Sequence, residues 1–386
     1  MRPKKKSIMQ NIYAKLFVVL VLTLFGTVLS AQNDNSMYFS NEEKSPLDSN
    51  KLILRITDVN FLKNNEYFNP IVDGYTYLGY FIQPKLVYYP TSNTKVEAGL
   101  HLLKFSGRDD YTQVQPLFSF SYKPSKDLTF IIGTIKGTVN HKLIEPISLF
   151  DRYYENNVEN GMQLLIDKKH FKTDFWLDWE KFILKTDHTK EQFTFGGSAN
   201  LYLTAPDAKN IFFLPLQYTF AHKGGQYLGD TIPIQTVFNS ATGFVFEHLF
   251  NSNFFYSVGT KNYYCTYSDL SNIHRYKYEL GWGESSNIFI NTKYVYLMLG
   301  YWYSEFFIAP KGEPLFGSNS IKYNYYDTYR NLLTGKVQFK KNIAKGIDIG
   351  IRFEYYYEYS KSNFDYSYGV NLDFNRDFFL TTIPLK

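Results

Sequence analysis

In the run Ile347-Asp348-Ile349-Gly350-Ile351-Arg352-Phe353-Glu354-Tyr355 every second residue is apolar or aromatic, and the residues between are Asp, Gly, Arg and Glu. A period of two places these sets on opposite faces of a β-strand. Similar runs recur along the chain. Val96, Ala98, Leu100 and Leu102 alternate with Lys95, Glu97, Gly99 and His101; Val295, Leu297 and Leu299 alternate with Tyr294, Tyr296, Met298 and Gly300; Val370, Leu372 and Phe374 alternate with Gly369, Asn371 and Asp373. A chain written this way folds as antiparallel sheet. In a soluble sheet the apolar face meets a core. In a membrane barrel it meets lipid, and the polar face lines the lumen.

The start of the chain bears on that choice. Arg2, Lys4, Lys5, Lys6 and Lys15 precede or open an apolar stretch from Leu16 to Leu29, and Ser30-Ala31 supply small residues for cleavage. This is the layout of a secretory signal, and the apolar stretch is short of the roughly 20 residues of a spanning helix. Residues 1–31 are therefore expected to be a cleaved leader and residues 32–50 a polar tail without order. Five of the 41 Lys and Arg lie in the leader and none of the 36 Asp and Glu, so the remainder balances at 36 against 36. Net charge gives no support to a nucleic-acid partner. The single cysteine, Cys265, allows no internal disulfide.

Beyond the leader no apolar run approaches the length of a spanning helix. A membrane form of this chain must then be a closed barrel, because in lipid only helices and closed barrels satisfy every backbone group. The 35 Tyr and 35 Phe fit aromatic girdles at the two lipid–water interfaces. Compact polar connections occur at residues 90–94, 123–127, 167–170, 205–209, 251–253, 284–287 and 340–345. Longer ones are expected at 61–74, 140–161, 222–236 and 305–322. Short turns at one end and long loops at the other are the plan of bacterial barrels. The expectation is an all-β, antiparallel transmembrane β-barrel over residues 51–386, with about 16 strands and a range of about 14–18, short periplasmic turns and long extracellular loops.

Polar residues on the inward registers are the candidates for function. Asp174, Trp176, Asp178 and Glu180 share one strand face. Such carboxylates either form a cation-attracting ring or pair with lumen bases, and pairing is favoured because buried carboxylates need partners. Arg275, Lys277 and Glu279, with Lys336, Asp348, Arg352 and Glu354, complete a mixed-sign interior. That mixture fits a weakly selective channel or a barrel filled by its own ion pairs. Trp176, Tyr294, Tyr296 and Trp302 could stack on sugars, although tyrosines near strand ends more often belong to a girdle. Among the loops, Asn65, Glu66, Tyr67 and Asn69 lie in an unusual segment from Asn64 to Pro70. Glu145, Asp151 and Arg152 lie in one able to fold into the lumen as a constriction or lid. Leu128 to Val139, apolar on both faces, fits such an inward loop.

Barrel-type lipases and acylases use Ser with His on the outer wall, which directs attention to His101, His141, His170, His188, His222, His248 and His274. No pair of these has metal-ligand spacing, and no Gly-x-Ser-x-Gly elbow occurs. The sequence therefore predicts neither an enzyme nor a metal or other cofactor.

Asn64 to Pro70 followed by Gly74-Tyr75, Glu159-Asn160-Gly161, and Asp174-x-Trp176-x-Asp178-Trp179-Glu180 resemble the porin-like outer-membrane β-barrel proteins of the Bacteroidota over most of the chain beyond the leader. The resemblance implies the outer membrane of a Gram-negative bacterium, with outer-membrane lipid as its surroundings. Two roles stay open: a porin-like channel for small polar solutes, and a closed barrel serving as a binding or scaffold subunit of an outer-membrane assembly or export complex.

Overall fold

The computed structural model describes residues 35–39, 49–184, 187, 189–205, 208–225 and 233–384. Sixteen strands follow in chain order: β1 (Lys51–Glu66), β2 (Tyr75–Thr91), β3 (Thr94–Phe105), β4 (Gln113–Ser125), β5 (Leu128–Thr134), β6 (Asn160–Asp167), β7 (Phe171–Lys181), β8 (Gln192–Tyr202), β9 (Asn210–Lys223), β10 (Gln235–Leu249), β11 (Phe255–Asp269), β12 (Leu280–Thr292), β13 (Val295–Glu305), β14 (Tyr329–Ala344), β15 (Ile347–Glu358) and β16 (Asn363–Thr382). Each pairs antiparallel with its neighbours in sequence, and β1 pairs with β16 from Lys51↔Thr382 to Glu66↔Tyr366. The sheet closes on itself, so no edge strand is left exposed. Among the described residues no helix is long and apolar enough to cross a membrane.

Alternation sets the two faces. On β15 Ile351 and Phe353 are exposed while Arg352 and Glu354 are buried inside. On β3 Leu100 faces out and Glu97, His101 and Leu103 face in. The outer wall carries Leu, Ile, Val, Phe and Tyr on strand after strand, the surface a barrel presents to lipid.

Connections at one end are short: 92–93, 126–127, 168–170, 203–209, 250–254, 293–294 and 345–346. Those at the other reach 25 residues at 135–159 and 23 at 306–328. By the usual asymmetry of bacterial barrels the long-connection end is extracellular. Two expected boundaries need correction. Glu284 to Asn287 is the middle of β12 and not a turn, because Ser285 and Asn287 continue the strand's inward register. The first long loop shrinks to 67–74, because β1 continues with strict alternation through Asn65 and Glu66, two residues expected in a loop.

The lumen is filled. The 135–159 connection turns inward and buries Ile147, Phe150, Tyr153 and Tyr154, the last two on a short helix, α1 (Arg152–Glu155). The 306–328 connection buries Phe307, Ile308, Leu315 and Phe316 against Trp302, Leu332 and Tyr356. Ile131 and Ile135 pack on Trp176 with Leu143 against them, which accounts for a β5 segment apolar on both faces. The leader lies outside the described residues, as does most of the tail. Where described, the tail is ordered: Met37 and Tyr38 pack inside the barrel with Phe61, Phe81, Phe150 and Tyr153.

Candidate functional site

The inward carboxylates of β7 are paired with bases on the two inward loops. On β7, Asp174 Oδ2 lies 2.8 Å from His141 Nδ1, and Asp178 lies 3.4 Å from Arg152 Nη2. Glu180 accepts from Lys311 Nζ at 2.6 Å. His141 and Trp176 stack with ring centroids 3.6 Å apart. The second nitrogen of His141 faces Glu159 Oε2 at 2.8 Å. Burial alone would lower the pKa of this imidazole, but Glu159 and Asp174 together push it up to about 9, so both nitrogens carry protons and donate.

A second cluster spans the barrel interior. Glu145, at the start of a single 3-10 turn, accepts from Lys336 and from Arg352, and Arg352 also donates to Glu354 at 2.6 Å. Arg352 lies over the Phe150 ring at 3.8 Å. The same guanidinium and Gln338 donate to Asn35 Oδ1, while Lys340 donates to the Met37 carbonyl. Asp151 takes bonds from Lys63, from Asn65 at 3.0 Å and from Tyr75 at 2.6 Å. Glu313 lies buried nearby; desolvation and the Asp151 carboxylate push its pKa up to about 8. Tyr67 donates to Asn65, and Asn69 caps Ile71 and Val72.

These bonds make the interior a tied structure. Cavities remain, one of about 50 Å³ beside Glu145, Lys336 and Glu354, another of about 120 Å³ beside Gln83, Glu97 and Lys136. Asp348 sits at the periplasmic end of the wall beside Lys340 and Asn342. Three expected lumen residues are elsewhere: Arg275, Lys277 and Glu279 lie exposed in the β11–β12 connection, because β11 ends at Asp269 and β12 begins at Leu280. Lys63, Lys311 and Glu313 belong to the interior network and escaped the sequence reading. Lys63 was accessible from the inward register of β1; Lys311 and Glu313 lie on an irregular loop that no periodicity orients.

The outer face holds a different arrangement. On β1 the even positions point outward, and at the extracellular end these are Asn64 and Glu66. Asn64 is registered with Thr76 on β2 and Tyr368 on β16. Its Nδ2 donates to Glu66 Oε1 at 2.5 Å and to the Tyr368 hydroxyl oxygen at 3.2 Å, and its Oδ1 accepts from Thr76. Gly74 makes this closure possible: a Cβ there would lie 2.5 Å from the Asn65 carbonyl oxygen. A carboxylate, an amide, an alcohol and a phenol thus converge at the extracellular rim, on the face turned to lipid. Tyr368 accepts from Asn64 and has its own hydroxyl hydrogen still to donate.

Closed antiparallel topology, an apolar outer wall and long loops at one end define an outer-membrane β-barrel. Residues 41–383 match the family model described as lipid A 3'-O-deacylase-type, and the chain belongs to that family. This overturns the expectation that the protein is not an enzyme, which rested on the absence of a Ser-elbow or metal-spacing motif. None of the curated proteins matches the chain. Among solved structures, a loop L8 deletion form of OmpT, an outer membrane protein of Vibrio cholerae, is similar with a TM-score of 0.50 and 10% identity, over 84% of this chain and 100% of that one. OprD from Pseudomonas aeruginosa matches with a TM-score of 0.49 and 10% identity, over 85% and 94% of the two chains. OccAB3 of Acinetobacter baumannii gives 0.46 and 12%, over 85% and 99%. At 10% identity the likeness to OmpT is one of fold.

Proposed function

We propose that the protein is an outer-membrane ester hydrolase that removes an ester-linked acyl chain from lipid A, working on the outer wall of a closed barrel. The family supports the reaction class, and the observation that carries the siting is the lipid-facing cluster of Asn64, Glu66, Thr76 and Tyr368. A lipid of the outer leaflet presents its ester carbonyls near the level of the headgroups, where this cluster stands. The lumen is inaccessible to such a substrate.

Glu66 offers Oε2 to a water molecule while Oε1 is held by Asn64. As general base it takes a proton as the water oxygen bonds to the acyl carbon. The Tyr368 hydroxyl supplies a donor for the negative charge that develops on the carbonyl oxygen, and the Asn64 amide holds Glu66 and Tyr368 in place for it. Collapse breaks the bond to the alcohol oxygen, which receives the proton from Glu66, leaving a free fatty acid and a deacylated glycolipid.

A porin-like channel for small polar solutes is the competing reading, and the ion pairs that fasten two loops across the lumen, with the hydrogen bonds that hold residues 35–39 there, weigh against it. The test is mass spectrometry of lipid A from cells producing the protein in their outer membrane. Loss of one ester-linked acyl chain is expected with the natural chain. Glu66→Gln should lower the deacylated fraction by ~10²-fold or more, the usual contribution of a general base. Unmodified lipid A in the presence of folded natural protein contradicts the proposal.

A further inference from the structure

The extracellular face carries a groove that neither the lumen network nor the rim cluster uses. Its walls are Arg275, Tyr276 and Lys277 from the β11–β12 connection and Asn324, Tyr325 and Tyr326 from the β13–β14 connection, and its volume is about 560 Å³. It is shallow and largely open to solvent. The walls are held from outside the groove. Tyr326 pairs with Asn319 in an isolated bridge, and its ring meets Tyr278 edge-on at 5.8 Å. Tyr325 donates to Asp327, which Lys361 neutralises. Ile321 bonds to Ile71 and Lys322 pairs with Asp73, tying this loop to the 67–74 connection that directly follows Glu66.

Charge and shape together narrow the ligand. Among the described residues Arg275 and Lys277 have no carboxylate partner, whereas Lys322, Arg330 and Lys361 on or beside the neighbouring loop all do. Two unneutralised cations beside three tyrosines and an amide suit a ligand with an anionic group on a ring whose faces are apolar and whose edges bear hydroxyls. We infer that this groove binds a phosphorylated saccharide. Its source rests on the deacylase reading: the headgroup of the glycolipid whose ester reaches Glu66. A free sugar phosphate has the same chemistry.

The test uses the full-length protein in detergent and isothermal titration with glucosamine 1-phosphate, glucosamine and inorganic phosphate. Glucosamine 1-phosphate should bind at least tenfold more tightly than either of the others. The double substitution Arg275→Ala, Lys277→Ala should remove that preference while leaving the melting temperature unchanged, since both side chains are exposed. Equal affinities for the three ligands, or full binding by the double variant, overturn the inference. Hydrogen exchange in proteoliposomes then identifies the source. Protection of residues 270–279 by a phosphorylated glycolipid and not by its dephosphorylated form supports the headgroup. Binding in solution without such protection supports the free saccharide. None of these readouts requires hydrolysis, so an inactive protein that binds would contradict the deacylase reading alone.

Discussion

At the scale of single residues, two side chains test the description of inside and outside. His141 is held by Glu159 and Asp174, and its pKa is raised to about 9. In the unfolded chain an imidazole titrates near 6.5, so the folded state keeps a proton that the unfolded state releases between these values. The stabilisation is complete below about pH 6.5 and is lost as pH rises through about 9. Melting temperature in detergent should therefore fall over that window, and His141→Gln should flatten the fall. Asp58 is the outside test. It points to the lipid face of β1 between Ile56 and Leu62, registered with Ile82 and Phe374, and among the described residues Asn60 beside it offers its one side-chain bond, at 2.7 Å. Asp58→Leu should raise stability by on the order of 1 kcal/mol in a bilayer refolding assay, less than the ~2–4 kcal/mol that Lys or Arg costs at the midplane. A lower stability would mean that this wall does not face lipid.

Among the elements, strands were far easier to read from sequence than loops. A period of two needs only five or six residues to show, and it places Asp174, Trp176, Asp178, Arg352 and Glu354 on the inward register, where they are buried. It also failed informatively. Arg275, Lys277 and Glu279 alternate as a strand would, yet the chain there is loop, because alternation of polar with aromatic residues does not by itself demand pairing. Glu66, expected in a loop, ends a strand with its carboxylate outward. Thr76 lies across the adjacent β1–β2 pairing, but Tyr368 comes from a strand remote in sequence and depends on closure of β1 on β16, which no local signal encodes. The inward 135–159 loop has its own test. Glu145 is shared by Lys336 and Arg352, so Glu145→Ala removes a carboxylate that two buried cations share. Breaking a buried pair costs about 3–5 kcal/mol. The melting temperature should drop, and brief channel openings should appear in planar-bilayer recordings where the natural protein conducts no sustained current.

The whole molecule resembles a pore in its strand count and loop plan, and differs in what occupies the middle. Three separate segments meet inside: residues 35–39, the 135–159 loop and the 306–328 loop. The two loops are tied to the wall by charge pairs, residues 35–39 by hydrogen bonds from Gln338, Lys340 and Arg352, and the segments pack on one another. A barrel closed in this way is a rigid support, and its outer rim is where it can meet a lipid. The most direct test is the mass of a phosphorylated, ester-acylated glycolipid after incubation with the purified barrel. The account predicts a product lighter by one acyl chain with the natural protein, and intact glycolipid with Glu66→Gln. An unchanged mass with the folded natural protein, or equal product from the Glu66→Gln variant, would contradict it.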